Sequence, residues 1–184
     1  MHGILKHIIL NMVTVLAVTM FFSCKNNFKE VQNIGVLSDK PAGISEGINT
    51  KYTDSGRLKS HLISPKMLDF SNREFPFSEF PEGINLTMYD EDGKTSNVIA
   101  DYAIIYNETD LIDLRGNVVI TTQNKDTLFA EQLFYDQKKE WMFTNQPVVF
   151  RTQDKIINGV GFDANKDLTQ FEVLETTGVI FIDQ

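Results

Sequence analysis

Few residues of this chain are of types that do covalent chemistry. Cysteine occurs once, at position 24, directly after Ser23. One cysteine excludes an intrachain disulfide and any cysteine-only metal cluster. Histidine occurs at positions 2, 7 and 61. His2 and His7 sit in an N-terminal apolar segment, which leaves His61 alone. A Ser-His-Asp triad could be built only around it, and a His-rich zinc site not at all. Asp110, Asp113, Asp126, Asp136, Asp154, Asp163 and Asp167 are scattered through turns, where Asp is favoured for backbone reasons. They lack the spacing of a calcium loop. No paired-carboxylate or phosphate-loop motif occurs. These residue types argue against an enzyme and imply no metal and no cofactor.

Cys24 has a different chemistry open to it. Residues 1–7 form a short, weakly basic head, and 8–22 an apolar run of signal-sequence length. That run is shorter than the roughly 20 residues a bilayer-spanning helix needs. Ser23-Cys24 follows, then polar Lys25-Asn26-Asn27. The pattern resembles a bacterial lipoprotein signal, in which the chain is cut before the cysteine and the thiol is acylated. Phe21 and Phe22 stand where Leu and a small residue are commoner. The alternative is an uncleaved, single N-terminal transmembrane anchor. Both place the rest of the chain outside the cytoplasmic membrane and tether it there. The expected organisation is a signal peptide over 1–23, a lipidated Cys24 with a flexible tether over 24–45, and a folded domain over 46–184.

The positioning elements follow from the rest of the chain. It has 184 residues, a net charge of −8 and a 42% hydrophobic fraction, which suits one domain with a real core. Loss of residues 1–23 removes Lys6, so the remainder carries −9. That acidity argues against a nucleic-acid partner. From about residue 46 a period-two apolar pattern runs to the end, broken by polar turns such as Asp54-Ser55-Gly56 and Gln123-Asn124-Lys125-Asp126. The pattern predicts an all-β chain of many short antiparallel strands.

A repeat organises them. Gly116-Asn117-Val118-Val119-Ile120, Gln146-Pro147-Val148-Val149-Phe150 and Thr177-Gly178-Val179-Ile180-Phe181 recur at intervals of 30 and 31 residues. Leu86-Thr87-Met88 is a weaker earlier copy. Second strands carry a small residue each: Ala100, Ala130 and Gly159. A two-stranded unit cannot bury its apolar face alone, so stacked copies must share an interior between two facing sheets.

Several stretches together resemble the LptC family, the periplasmic component of the lipopolysaccharide export machine. They are Phe80-Pro81-Glu82-Gly83-Ile84, Met88-Tyr89-Asp90-Glu91-Asp92-Gly93 and Ile99-Ala100-Asp101-Tyr102-Ala103. A second signature runs through Leu114-Arg115-Gly116-Asn117-Val118-Val119-Ile120 and Leu128-Phe129-Ala130-Glu131-Gln132-Leu133-Phe134-Tyr135-Asp136. The related LptA/OstA-like domains share that second signature. The resemblance covers roughly residues 50–184. It implies a twisted, boat-like antiparallel β-jellyroll with an apolar groove. It also implies lipopolysaccharide as ligand, permease subunits of an inner-membrane ABC transporter as donor, and a periplasmic LptA-like β-jellyroll protein as acceptor. Well-known members carry an uncleaved transmembrane helix, which bears on the means of attachment.

Alternation proposes the groove lining: Leu86, Met88, Val98, Ala100, Val118, Ile120, Leu128, Ala130, Val148, Phe150 and Ile157. Leu133 and Tyr135 join them only if a bulge lies near Glu131-Gln132. Phe143, with Trp141 and Met142, would close one side. For each position an ordinary solid core is the alternative. Val179, Ile180 and Phe181 form an apolar final strand suited to strand addition by a partner domain. Lys138, Lys139 and Arg151 could meet lipid phosphates or simply be solvated. The competing function is a β-sandwich lipoprotein binding a protein or carbohydrate at the cell envelope.

Overall fold

A computed structural model gives the fold; it describes residues 40–176 and Met12. The chain divides into two compact units, Met1–Ser38 and Asp39–Gln184, and residues 40–176 belong to the second. Cys24 and the edge residues Val179, Ile180 and Phe181 lie outside the described residues. Within 40–176 every regular element is a β-strand, and all of them join one antiparallel sheet of 11 strands.

Strand β1 (Gly43–Asp54) and β2 (Arg57–Asp69) form a long hairpin. Among the described residues the first strand starts at Gly43. β3 (Phe77–Phe80) pairs with the end of β2 and β4 (Ile84–Tyr89) with its beginning. β5 (Thr95–Ala100) and β6 (Tyr102–Tyr106) lie against β4 and β3 in the same way. Both then pair with the two halves of β7 (Leu111–Thr122). β8 (Thr127–Asp136), β9 (Trp141–Arg151), β10 (Ile156–Asn165) and β11 (Phe171–Thr176) complete the meander.

Short strands occur as expected in β3–β6 and β11, beside long strands of 10 to 13 residues, several of them bent midway; in place of two separate sheets there is one. One folded sheet supplies both facing halves. The bends line up: the register shifts between Arg115 and Val118 on β7, between Ala130 and Phe134 on β8, and between Val160 and Phe162 on β10. Such bulges let a strand turn a corner without leaving its neighbours. Gly116 and Asn117 make the β7 bulge with φ of 72° and 45°, a conformation that Gly and Asn tolerate. Asp101, between β5 and β6, fastens to it. Its N–H donates to the Gly116 carbonyl at 2.9 Å, and its carboxylate accepts from Asn117 Nδ2 at 2.6 Å. The Glu131-Gln132 irregularity turns Leu133 and Tyr135 inward, both at most 9% exposed.

The concave face carries the core. Val98, Val118, Ile120, Leu128, Val148 and Phe150 come from one half; Phe80, Leu114, Leu133, Met142 and Phe162 from the other. Small residues stand beside the bend. Ala130, Val148 and Gly159 lie side by side on β8, β9 and β10. A Cβ on Gly159 would collide with the Val173 side chain and come within 2.8 Å of the Glu175 carbonyl. On the opposite side from Ile112 and Leu114, Asp113 is 2% exposed. It accepts from the Arg115 guanidinium and, at 2.8 Å, from Gln132 Nε2, so its charge is both paired and hydrogen-bonded.

Candidate functional site

The two halves of the sheet part where β1, β2 and β4 face β6, β7 and β8. A cavity of about 580 Å³ opens there. Ile84, Leu86 and Met88 alternate along β4 and so present one apolar face to it. Leu62 of β2 extends that face. Ile105 and Ile112, on either side of the β6–β7 turn, and Tyr135 of β8 oppose it. Thr50 and Tyr52 of β1 form a wall.

Charged groups ring this apolar floor. Lys59, Lys138 and Lys166 line the cavity together with Asp54, Asp110 and Glu140. Lys138 Nζ lies 3.0 Å from Asp110 Oδ2, and Lys166 Nζ 2.6 Å from Glu140 Oε1. Burial pushes the Tyr135 phenol far above its ordinary pKa, and the nearby charges of Glu140, Asp167 and Asp136 add to the shift. The ring is therefore neutral. Burial also holds the Asp167 carboxyl above the usual range. Lys166 opposes that shift, while Asp90 and Glu140 reinforce it.

Of the residues that alternation proposed, Leu86, Met88 and Tyr135 line the cavity. Val98, Ala100, Val118, Ile120, Leu128, Ala130, Leu133, Val148 and Phe150 sit in the contiguous core, and half-buried Ile157 packs against it. Phe143 is a correction. It is 37% exposed on the other face and stacks on Phe134, ring centroids 5.4 Å apart. Counting back by twos from Phe150 and Val148 lands on Met142, which is the buried residue of that pair. Of the three cations considered, Lys138 reaches the cavity. Lys139 pairs with Asp136 at 3.1 Å, and Arg151 lies over the Phe129 ring.

Leu62, Ile84, Ile105, Ile112, Lys59, Glu140 and Lys166 were not singled out from the sequence. For Ile84 the signal was present, two residues before Leu86 in an alternating run. His61 Nε2 lies 2.7 Å from Asn49 Oδ1 in the β1–β2 hairpin. No group of three or more His, Cys, Asp or Glu among the described residues is placed to hold a metal ion. Among them, too, no helix is long and apolar enough to cross a membrane.

An apolar floor with a charged rim matches the two parts of an amphiphile. None of the curated proteins compared matches the chain. A family model described as lipopolysaccharide-assembly, LptC-related, matches residues 11–180. It embraces the whole described sheet, and members of this family serve lipopolysaccharide transport in the cell envelope. The chain belongs to the LptC-related family of lipopolysaccharide-assembly proteins.

Proposed function

We propose that this chain is a membrane-tethered lipopolysaccharide-binding component of the export machine. It takes lipid from the inner-membrane ABC transporter and passes it to a periplasmic β-jellyroll bridge. The observation that carries the reading is the cavity of about 580 Å³ between the sheet halves, apolar within and charged at its rim. Its size falls in the range of about 300–1,000 Å³ typical of ligand sites. Exposing an acyl chain of about 14 carbons to water would cost on the order of 11 kcal/mol, at about 0.8 kcal/mol per CH₂. A carrier must cover that surface, and Leu62, Ile84, Leu86 and Met88 offer the means.

Cys24 is the acylated anchor that keeps the domain at the periplasmic side of the inner membrane. Two acyl chains or more make such anchoring stable. Partners join by strand addition. Among the described residues β1 pairs only with β2, so within them its other edge has no strand beside it. The same strand walls the cavity, which puts a partner's strand beside the lipid's path. The apolar stretch Val179, Ile180 and Phe181 serves the acceptor side.

The test is the full chain with Leu62→Glu, supplied to cells depleted of the wild type. With the variant at normal abundance, lipopolysaccharide should accumulate at the inner membrane. Normal export would refute the cavity as the lipid's path.

A further inference from the structure

The charged rim has an internal order that the apolar floor does not explain. Three turns stack along one end of the sheet: β6–β7, β8–β9 and β10–β11. The Gln137 N–H donates to the Asp110 carbonyl at 3.0 Å, and the Lys166 N–H to the Glu140 carbonyl at 3.0 Å. Asp110 and Glu140 hold the same left-handed backbone, φ 55° and 51°, one repeat apart. Each turn's acid then pairs with the next turn's lysine, Asp110 with Lys138 and Glu140 with Lys166.

The backbone bonds hold the turns together whether or not the side-chain pairs form. Lys138 and Asp110 are 65% and 42% exposed, and pairs of that kind contribute only about 0–1 kcal/mol. The Lys138–Asp110 pair can therefore open at little cost to the fold, whereas Lys166, only 14% exposed, gives up Glu140 only in exchange for another anion. All four groups face the cavity, with Ile84 and Ile112 directly within it. An anion that arrives there attached to hydrocarbon meets two lysines already held in place. A phosphate brings more charge than a carboxylate and more acceptor oxygens.

Resting on the lipid-binding reading above, we propose that this rim is a counter-ion exchange site for a phosphorylated amphiphile. Lys138 and Lys166 leave Asp110 and Glu140 and take the lipid's phosphate, while its hydrocarbon enters the cavity. Until then the acids keep the rim neutral and the lysines extended toward the opening. Free phosphate, lacking the hydrocarbon, gains too little there to displace the carboxylates.

The test uses the full chain in phosphatidylcholine nanodiscs, with a photocrosslinker in place of Met88. It is offered lipopolysaccharide, or the same lipid stripped of its phosphates. The stripped lipid should be captured at least about tenfold less, a difference of about 1.4 kcal/mol. Lys138→Gln with Lys166→Gln should lower capture of the phosphorylated lipid to that level and leave the stripped lipid unchanged. Asp110→Asn with Glu140→Gln should raise capture of the phosphorylated lipid. Unfolding midpoints near that of the unsubstituted chain show that each variant is folded. Equal capture of both lipids, or weaker capture by the Asn/Gln variant, overturns the exchange and leaves the cavity standing. Capture of neither lipid removes the lipid-binding reading, and the exchange with it.

Discussion

At one end of the interior Phe150, Phe162 and Phe171 interlock, with ring centroids 4.5 to 6.1 Å apart. At the other, Ile84, Ile112 and Tyr135 face a cavity of about 580 Å³. Both ends are lined by residues of one sheet, drawn from different strands. The difference lies in what those strands carry. β9 and β10 each contribute a fully buried phenylalanine that fills the space, and Phe171 of β11, 42% exposed, packs on both from the solvent side. β2, β4, β6 and β7 carry aliphatic chains, and the turns beside them carry lysine and acid. Aliphatic walls with a charged rim leave the halves apart. One sheet therefore builds a packed core and a binding space by changing side-chain volume along the meander, with no change of topology.

The comparison breaks first at the packed end. Phe150→Ala should cost about 3–5 kcal/mol, the range for truncating a fully buried aromatic. Chemical denaturation of the purified chain measures it, and a cost below about 1 kcal/mol would mean that this end is as loose as the other. Next comes the bend. Gly159→Ala should cost about 1–3 kcal/mol by overpacking against Val173 and the β11 backbone. Hydrogen exchange should show the loss concentrated in β10–β11.

At the mouth the same kind of truncation should be mild. Leu62→Ala removes a half-buried side chain beside space that already exists. It should cost about 1 kcal/mol and lower lipid capture more than it lowers stability. The smallest effect is in the β10–β11 turn, next to Lys166. The Asp167 carboxyl is raised, so the native state binds its proton more tightly than the unfolded chain does. Its charge therefore opposes folding above the ordinary carboxylate range. Asp167→Asn should stabilise by a few tenths of a kcal/mol at neutral pH, and the gain should vanish as pH falls below that range. Paired urea titrations at the two pH values read the difference.

Much of the interior was legible because strands alternate strictly. Val98, Val118, Ile120, Leu128, Val148 and Phe150 follow from period two alone, and the fold class from their repetition. The inward turn of Leu133 and Tyr135 was legible as a condition, a bulge near Glu131, because parity fails there. What sequence could not separate was lining from filling. Ile120 and Met88 have the same pattern around them, yet one is enclosed on all sides and the other faces open space. That depends on which strand lies across the interior, a matter of the fold's closure and not of neighbours in sequence. The rim was hidden for a similar reason. Asp110, Lys138, Glu140 and Lys166 look like ordinary turn residues until three turns stack.

In-cell photocrosslinking compares the two ends most directly, with the reactive group placed at Leu62 or Met88 at the mouth, and at Ile120 or Phe150 in the core. Lipopolysaccharide adducts from Leu62 and Met88, with none from Ile120 and Phe150, are the expected result. Adducts from the core positions alone, or none from the mouth while export is active, would contradict the account.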